Sequence, residues 1–293
     1  MKIVIADDLE AGAVRSIKGA GDVVYKPANL EIELKDADVL VVRSATKVTK
    51  EMLGKAPKLK VVFRAGVGLD NIDMEACRAR GVVVKNTPQA STGAVAELAV
   101  GLIIALFRNL GRAHCGMKAG KWEKKGLIGH EAGGKTLGII GCGRIGCTVA
   151  QKAMALSMEV VAYNPPPRVD CPGVKYVEDL DELLRVSDVV SIHAAPTKET
   201  ENIINAETIA KMRDGACLVN LARGSMVDEE ALYDALKKGK LGGAALDVYK
   251  EEPYKGRLLE LDNVIFTPHI GGSTLEAQDK IGAVIAEELK KGI

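Results

Sequence analysis

Short apolar runs alternate with segments of helical periodicity along the whole chain. In the first part, uninterrupted Val and Ile runs stand on either side of helical segments such as residues 10–18 and 50–56. Runs of this kind, flanked by helices, predict strands buried on both faces of a parallel sheet. The first part is therefore predicted to be a small α/β domain. Its predicted strands are residues 2–6, 22–25, 38–42, 60–63 and 82–85.

A long apolar segment precedes a second α/β pattern. Residues 95–107 are predicted to form a buried helix, capped by Ser91 or Thr92, that connects two domains. Apolar spacing predicts a last helix over residues 275–290, which is expected to pack on the first domain. The six strands predicted between these helices fit a doubly wound sheet. They are residues 137–140, 160–163, 188–193, 216–221, 244–248 and 264–267.

A glycine loop follows the first strand of this second pattern. Gly141, Gly143 and Gly146 have G-x-G-x-x-G spacing, which permits a tight turn, close approach of a pyrophosphate and close packing of a helix. The helix predicted from Ile145 to about residue 157 directs its positive amino end at that phosphate. Asn164 ends the next strand, where a dinucleotide fold places its ribose-binding residue. Together these features predict a dinucleotide-binding unit.

Three chemically active residue types follow later strands of the same pattern. Arg223, Glu252 and His269 each lie in a Gly- or Pro-marked loop after a predicted strand. Ligands of open α/β sheets bind beyond the carboxyl ends of the strands. We therefore interpret the three as an acid–base set, although any one of them alone would be taken for a surface charge in a loop.

Composition narrows the class of protein. Lys and Arg number 40 against 39 Asp and Glu, so neither nucleic acid nor an anionic membrane is the expected main partner. The acidic start excludes a signal peptide, and the longest apolar stretch, residues 94–107, contains Glu97 and is too short to span a bilayer. Six cysteines without a secretory signal predict reduced thiols and a cytoplasmic protein. The sequence contains no cluster of His and Cys residues with metal-ligand spacing, so no metal site is expected.

Several longer motifs resemble the D-2-hydroxyacid dehydrogenases. They are RAGVGLDNID (64–73), NTPQASTGAVAEL (86–98), VNLARGSMVDEEAL (219–232), LDVYKEEP (246–253) and TPHIGGST (267–274). The resemblance implies two doubly wound parallel-sheet domains of the α/β class. A Rossmann NAD domain, residues 93–273, would be inserted into a flavodoxin-like substrate domain of residues 1–92 and 274–293.

The same resemblance implies roles for single residues. His269 matches the proton donor, Glu252 the carboxylate that holds its imidazole, and Arg223 the group that grips the substrate carboxylate and polarises the keto oxygen. Asp247 matches the acceptor of a hydrogen bond from the nicotinamide amide. The complete set implied to contact NAD is Gly141, Gly143, Arg144, Ile145, Gly146, Asn164, Ala195, Pro196, Thr200, Leu221, Ala222, Arg223, Asp247, His269, Gly271 and Gly272.

The substrate is implied to be a 2-hydroxy or 2-keto acid. Within the family, VVRSATKVT (41–49) resembles most the short members that act on 3-phosphoglycerate, at the entry to serine synthesis. Charged donors would hold the phosphate, although the alternative is that they are ordinary surface charges. The implied substrate contacts are Arg43, Ser44, Arg64, Val67, Gly68, Arg223 and His269.

Two positions depart from the family pattern. Asn164 stands where an Asp usually accepts the ribose hydroxyls of NAD, and it lacks the charge that repels a 2′-phosphate. With Arg168 nearby, NAD is favoured but NADP stays open. The stiff turn predicted at Pro165, Pro166 and Pro167 lies between these two residues. In the second departure, Ala195 replaces a proline of the loop expected beside the adenosine.

Three functions are consistent with these motifs. The leading expectation is NAD-linked interconversion of 3-phosphoglycerate and 3-phosphohydroxypyruvate. The second is a hydroxypyruvate or glyoxylate reductase with the same mechanism, and the third is an NAD(H)-sensing corepressor-like protein. A homodimer is expected from the family, with the helix at 95–107 at its interface. No C-terminal regulatory domain is expected.

Overall fold

The computed structural model describes residues 1–165 and 168–292, and its contacts divide the chain into two units. We call Met1–Ala94 together with Gly272–Ile293 the terminal unit, and Val95–Gly271 the central unit. Pro166 and Pro167, where a stiff turn was predicted, lie outside the described residues.

The terminal unit contains a five-stranded sheet. Its strands are β1 (Lys2–Ile5), β2 (Asp22–Tyr25), β3 (Val39–Val42), β4 (Val61–Arg64) and β5 (Val83–Asn86). Between them lie α1 (Ala11–Lys18), α2 (Leu30–Leu34), α3 (Lys50–Gly54) and α4 (Met74–Ala79). All neighbouring strands are parallel and their order is β2-β1-β3-β4-β5, which is the flavodoxin-like order.

The central unit contains a seven-stranded parallel sheet. Its strands are β6 (Thr136–Ile140), β7 (Glu159–Tyr163), β8 (Lys175–Val177), β9 (Val189–Ile192), β10 (Ala216–Asn220), β11 (Leu241–Leu246) and β12 (Val264–Phe266). Its helices are α5 (Thr92–Phe107), which begins at the end of the terminal unit, and α6 (Leu110–Lys118), α7 (Arg144–Ala155), α8 (Leu180–Val186), α9 (Ala206–Lys211) and α10 (Glu229–Lys237). The order β12-β11-β10-β9-β6-β7-β8 reverses direction between β6 and β9, as in a Rossmann sheet.

The predicted fold class is confirmed, and the differences concern single strands. Strand β8 was missed because Lys-Tyr-Val at the sheet edge contains no apolar run. Strand β11 begins at Leu241, three residues before its predicted start, because the pair Gly242–Gly243 resembles a strand breaker in sequence. Both differences arise because these residues become strands by pairing with a neighbouring strand, and the local sequence does not show which segments pair.

Each sheet is covered by a separate apolar cluster on each of its faces. In the central unit Ile139 and Val189 belong to one cluster, whereas the next residues along the strands, Ile140 and Val190, belong to the other. Successive strand side chains point to opposite faces, so this alternation places apolar side chains on both sides of the sheet. The uninterrupted Val and Ile runs of the inner strands therefore have a physical explanation: neither of their faces meets water. The edge strands β2 and β5 are partly exposed.

The last helix, α11 (Leu275–Lys290), is observed at the predicted residues and begins at a threonine cap. The Thr274 hydroxyl accepts a hydrogen bond from the Ala277 amide at 3.1 Å. Ile281 and Ile285 join the apolar cluster of the terminal sheet. At Gly282 a Cβ atom would stand 2.4 Å from Ala13 Cα, so the absence of a side chain lets α11 pack closely on α1.

Helix α5 is largely buried by its own unit. Leu102, Ile103 and Phe107 lie in an apolar cluster with strand residues of the central sheet. Among the described residues no single helix is long and apolar enough to cross a membrane. The pair α5 and α6 passes that test together on length and composition, with a bend of 68° between the two helices.

The expectation of six reduced cysteines is wrong for two of them. Cys147 in α7 and Cys171 form a disulfide, with Cα atoms 5.7 Å apart. Cys77, Cys115, Cys142 and Cys217 are free thiols. Reasoning from compartment missed the bond because only the fold brings a helix residue next to the segment that follows β7.

Removing this disulfide should destabilise the protein. The bond closes a separation of 24 residues, for which the loss of loop-closure entropy in the unfolded chain is worth roughly 3 kcal/mol. The Cys147→Ser/Cys171→Ser double variant should lose about that much free energy of unfolding in urea titrations, and dithiothreitol should destabilise the wild type but not this variant. Cys115→Ser, at an exposed free thiol, is the matched control. A wild type indifferent to dithiothreitol would contradict the assignment.

Candidate active site

The glycine loop links β6 to α7 at the point where the strand order reverses. Gly141 has φ +90°, and a Cβ atom there would stand 2.3 Å from the Ala194 amide nitrogen. At Gly143 the space around a Cβ atom is open to 4 Å, which leaves room for a ligand against the backbone. Gly141 therefore permits the tight turn, and Gly143 permits a ligand to approach the backbone closely.

The third glycine brings α7 against the loop. A Cβ atom at Gly146 would stand 2.4 Å from Gly141 O, so only glycine allows this packing. Arg144 begins the helix, one residue before its predicted start, and Ile145 follows it. Gly143 is the N-cap residue and has no side chain to occupy the first amides, so their N–H groups are oriented to bind an anion.

The loops after β7 and β9 carry residues that the resemblance implies to contact NAD. Asn164 Nδ2 donates to Pro165 O at 3.0 Å, and Arg168 Nε donates to Asn164 O at 3.1 Å. The loop after β9 is closed by Thr200, whose hydroxyl donates to Ala195 O at 2.9 Å. Pro196 lies within this exposed loop. Strands β7 and β9 flank β6, so these loops lie at strand ends next to the glycine loop.

His193 follows β9 but is not arranged for proton transfer. Its Nε2 lies 2.8 Å from Ser191 Oγ, and the Ser191 side chain is completely buried. Burial lowers the pKa of His193 to about 4. The imidazole is therefore neutral at physiological pH and has a structural role.

His269 and Glu252 form a hydrogen-bonded pair within the central unit. His269 Nδ1 lies 2.9 Å from Glu252 Oε2 and 3.2 Å from Glu252 Oε1. The two residues follow the neighbouring strands β12 and β11. With Nδ1 engaged, Nε2 is the ring nitrogen that faces a reacting group, so the pair has the arrangement of a general acid–base and its orienting carboxylate.

Asp247 holds the loop that carries His269. Its buried carboxylate accepts hydrogen bonds from Thr267 Oγ1 at 2.6 Å and from the amides of Ile270 and Gly271, both at 2.8 Å. Oδ2 accepts only the Gly271 bond among these and keeps a lone pair for a ligand donor. The structure thus gives Asp247 a positioning role in addition to the nicotinamide contact that the resemblance implies.

Tyr249 is a positioning residue that the sequence analysis missed. Its hydroxyl lies 2.8 Å from Leu246 O and 2.9 Å from Thr267 O, and so links the ends of β11 and β12. Burial raises the pKa of Tyr249 to about 12. The ring stacks on Tyr254 at 4.5 Å between centroids, beside a cavity of about 520 Å³ whose lining includes Glu252 and His269. The only signal in sequence was its place in LDVYKEEP.

Arg223 follows the adjacent strand β10 in a turn set by Asn220. The buried Asn220 side chain accepts from the Ala222 amide at 3.0 Å and donates to Arg223 O at 2.9 Å. Arg223 Nη1 also donates to Ala222 O at 2.6 Å. Leu221 and Ala222 are buried within this turn. Since β10, β11 and β12 are neighbours, the central sheet presents Arg223, Glu252 and His269 at three consecutive strand ends.

The residues implied to bind the substrate's phosphate lie at one edge of the terminal sheet. Val42, the last residue of β3, pairs with Arg64, the last residue of β4, so Arg43 comes one residue after the position that pairs with Arg64. The exposed Ser44 comes directly after Arg43. Val67 is 37% exposed in the loop after β4, and its carbonyl accepts from Asn86 Nδ2 at 2.6 Å; Gly68 follows it.

The loop that carries Arg43 is held by two residues that the sequence analysis missed. The buried Asp7 carboxylate accepts from the Arg43 amide at 2.5 Å and from Thr46 Oγ1 at 2.5 Å. Asn71 Nδ2 donates to Arg43 O at 2.7 Å and to Thr46 O at 2.6 Å. Both residues lie in loops, and their partners lie at least 25 residues away.

Residues 100–271 match the model of the D-isomer specific 2-hydroxyacid dehydrogenases, NAD binding domain. The chain belongs to this family, and NAD is the cofactor of its central unit. It is 48% identical to D-3-phosphoglycerate dehydrogenase of Methanocaldococcus jannaschii, over 99% of this chain and 57% of that protein. It is 46% identical to hydroxypyruvate reductase of Thermotoga maritima, over 99% of this chain and 97% of that one. The chain thus spans little more than half the length of the matched phosphoglycerate dehydrogenases.

Solved structures carry the same fold. D-lactate dehydrogenase of Aquifex aeolicus, complexed with NAD and lactic acid, superposes with a TM-score of 0.87 at 34% identity, covering 99% of this chain and 94% of that chain. An acyclic imino acid reductase in complex with NADPH and D-Arg has a TM-score of 0.89 at 31% identity, covering 99% and 96%. The fold therefore accommodates either dinucleotide.

The neutral His193 predicts a specific pH dependence of stability. Between pH 6.5 and 4 the unfolded chain binds a proton that the folded imidazole does not, so the wild type should lose roughly 2–3 kcal/mol as pH falls through this range. Above about pH 6.5 this loss is absent. The difference in unfolding free energy between wild type and His193→Gln, measured in urea from pH 8 to 4, should fall accordingly. A difference independent of pH would contradict the role.

Proposed function

We propose that this protein interconverts D-3-phosphoglycerate and 3-phosphohydroxypyruvate with NAD, the entry to serine synthesis. The observation that carries the proposal is the His269–Glu252 pair, 2.9 Å apart, on a loop tied down by buried Asp247. The name of the M. jannaschii relative, at 48% identity, supports the choice of substrate.

The chemistry requires separation of a hydride and a proton. When bound, NAD supplies the acceptor of the hydride that leaves the C2 carbon. His269 Nε2 takes the proton of the C2 hydroxyl, and the C–O bond becomes a carbonyl. Glu252 accepts from Nδ1–H, orients the ring and stabilises the imidazolium that forms, as the orienting carboxylate of an acid–base pair does. The reverse reaction returns the same proton to the keto oxygen.

Arg223 is proposed to bind the substrate carboxylate and the C2 oxygen. A guanidinium offers a planar fork of donors with permanent charge, which suits two oxygens held side by side. Its backbone is set by Asn220, so the side chain starts from a defined position at the end of β10. The fixed charge stabilises the C2 oxygen as its negative charge develops.

Arg43, Ser44 and Arg64 are proposed to recognise the phosphate of the substrate. The Arg43 loop is held by Asp7 and Asn71, so its donors are ordered before a ligand binds. The backbone amides of Val67 and Gly68 are proposed as further donors to the substrate carboxylate. Preordered charged donors are what discrimination of a phosphorylated acid needs.

Reduction of hydroxypyruvate or glyoxylate is the second candidate function. The T. maritima hydroxypyruvate reductase favours it, because that relative is matched over 97% of its length at 46% identity. The proton transfer and the hydride transfer would be the same. The two functions would differ only in whether the Arg43 loop contacts a substrate phosphate.

We also propose that the protein is a cytoplasmic homodimer. The dimer is supported by a set of apolar side chains that are exposed on α6 and the segment after it. They are Leu110, Met117, Trp122 and Ile128, of which Ile128 is 85% exposed. Helix α5, expected at the interface, contributes no large exposed apolar side chain and packs in its own core. Sedimentation equilibrium should give twice the 31.1 kDa of one chain, and Trp122→Glu should shift it towards monomer. A wild-type monomer would refute the dimer.

The substrate is tested by comparing three keto acids. NADH oxidation should have a kcat/KM at least tenfold higher with 3-phosphohydroxypyruvate than with hydroxypyruvate or glyoxylate, because of the charge-assisted phosphate contacts. Arg43→Gln should reduce that preference, whereas Arg78→Gln, an exposed charge on α4, should not. A preference for the unphosphorylated acids would support the second candidate instead.

The proton-transfer role is tested by His269→Ala. Turnover should fall by a factor of about 10²–10⁴, the usual contribution of a general acid–base, while NADH affinity changes little. Glu252→Gln should lower kcat less and shift the pH profile, because it acts through the imidazole. Stopped-flow reduction together with NADH titration separates the two effects. Unchanged turnover in His269→Ala would refute the assignment.

A further inference from the structure

The dinucleotide site contains an apparent conflict at the end of β7. Asn164 has no charge to repel a 2′-phosphate, and Arg168 lies close by, a combination that usually accommodates NADP. The family cofactor is nevertheless NAD. A preference of this chain for NAD would therefore require another group that disfavours a 2′-phosphate.

Glu178, directly after β8, forms a two-pronged ion pair with the guanidinium of Arg168. Arg168 Nη1 donates to Glu178 Oε1 at 2.9 Å, and Nη2 donates to Oε2 at 2.7 Å. Nε donates to Asn164 O at 3.1 Å. Each of the three guanidinium nitrogens thus has a partner, and the fork that matches a phosphate is already filled by a carboxylate.

The segment from Arg168 to Glu178 is held in place around this pair. The Arg168 guanidinium lies 5.4 Å from the centre of the Tyr176 ring. The Tyr176 hydroxyl donates to Val169 O at 2.6 Å, and the Cys147–Cys171 disulfide ties the segment to α7. The guanidinium beside Glu178 lowers the pKa of that carboxyl, so it is ionised at neutral pH. The pair is therefore ordered and charged before a cofactor binds.

We propose that Glu178 is the residue that determines the dinucleotide specificity of this chain. It keeps the Arg168 fork from a 2′-phosphate and places a negative charge at the ribose end, and so replaces the aspartate missing at 164. A 2′-phosphate would have to displace one anion from Arg168 and would lie against it. The inference rests on the proposed placement of the ribose at Asn164.

The pair is not required for folding. Its carboxylate is 83% exposed, and exposed ion pairs contribute little to stability. Glu178→Gln removes the charge at nearly constant size and should unfold at the wild-type urea midpoint. Binding differences in this variant can then be assigned to the nucleotide.

The test is direct binding of NADH and NADPH, followed by nicotinamide fluorescence without substrate. Glu178→Gln should lower the Kd for NADPH at least tenfold, as expected for a freed charge-assisted contact, and change the Kd for NADH less than about threefold. Glu182→Gln is the matched control, because this α8 carboxylate lies 3.6 Å from Lys175 Nζ and is not a partner of Arg168. An unchanged ratio of the two Kd values in Glu178→Gln would overturn the proposal.

A second variant tests whether Glu178 acts through Arg168. In Arg168→Ala/Glu178→Gln the gain in NADPH binding should be lost, since the phosphate has no guanidinium to bind. If the gain in NADPH binding persisted in the double variant, Glu178 would not act by competing with the 2′-phosphate for Arg168. If the wild type bound neither dinucleotide, the proposed dinucleotide site would itself be wrong, and the inference would fall with it.

Discussion

The candidate active site depends on the hydrogen bonds that the buried carboxylate of Asp247 accepts. It accepts one hydroxyl and two amide hydrogen bonds from the loop that follows β12. In that loop His269 has φ +55°, a left-handed conformation that costs a residue with a side chain about 1–2 kcal/mol. The three hydrogen bonds to this buried acceptor offset the cost. The imidazole is thus held facing Glu252 without help from a ligand.

Parallel pairing explains why the chemistry collects in two places. In a parallel sheet all carboxyl ends lie at one edge, so residues far apart in sequence become neighbours there. Arg223, Glu252 and His269 follow β10, β11 and β12 of the central unit. In the terminal unit Arg43 follows β3 and Arg64 is the last residue of β4. Short side-chain to backbone bonds, from Asn220 in one unit and Asp7 in the other, then fix each loop.

The residues that the sequence analysis missed share one property. Asp7, Tyr249 and Glu178 lie in loops, and each acts through a partner more than two positions away. Their side chains form no repeat and no motif with its own chemistry. The Cys147–Cys171 bond escaped for the same reason, since spacing along the chain does not encode the distance between Cα atoms.

Sequence alone determined the alternation of strands and helices, the glycine loop and the order of the motifs, because apolar periodicity and steric demands are local properties. Gly141, Gly143 and Gly146 are informative in sequence for that reason. The tertiary structure decided the edge strand β8, the disulfide, and the partners of Asp247 and Arg168. Each of these depends on which distant segments share one sheet edge, and that is settled only when the whole sheet buries its two faces together.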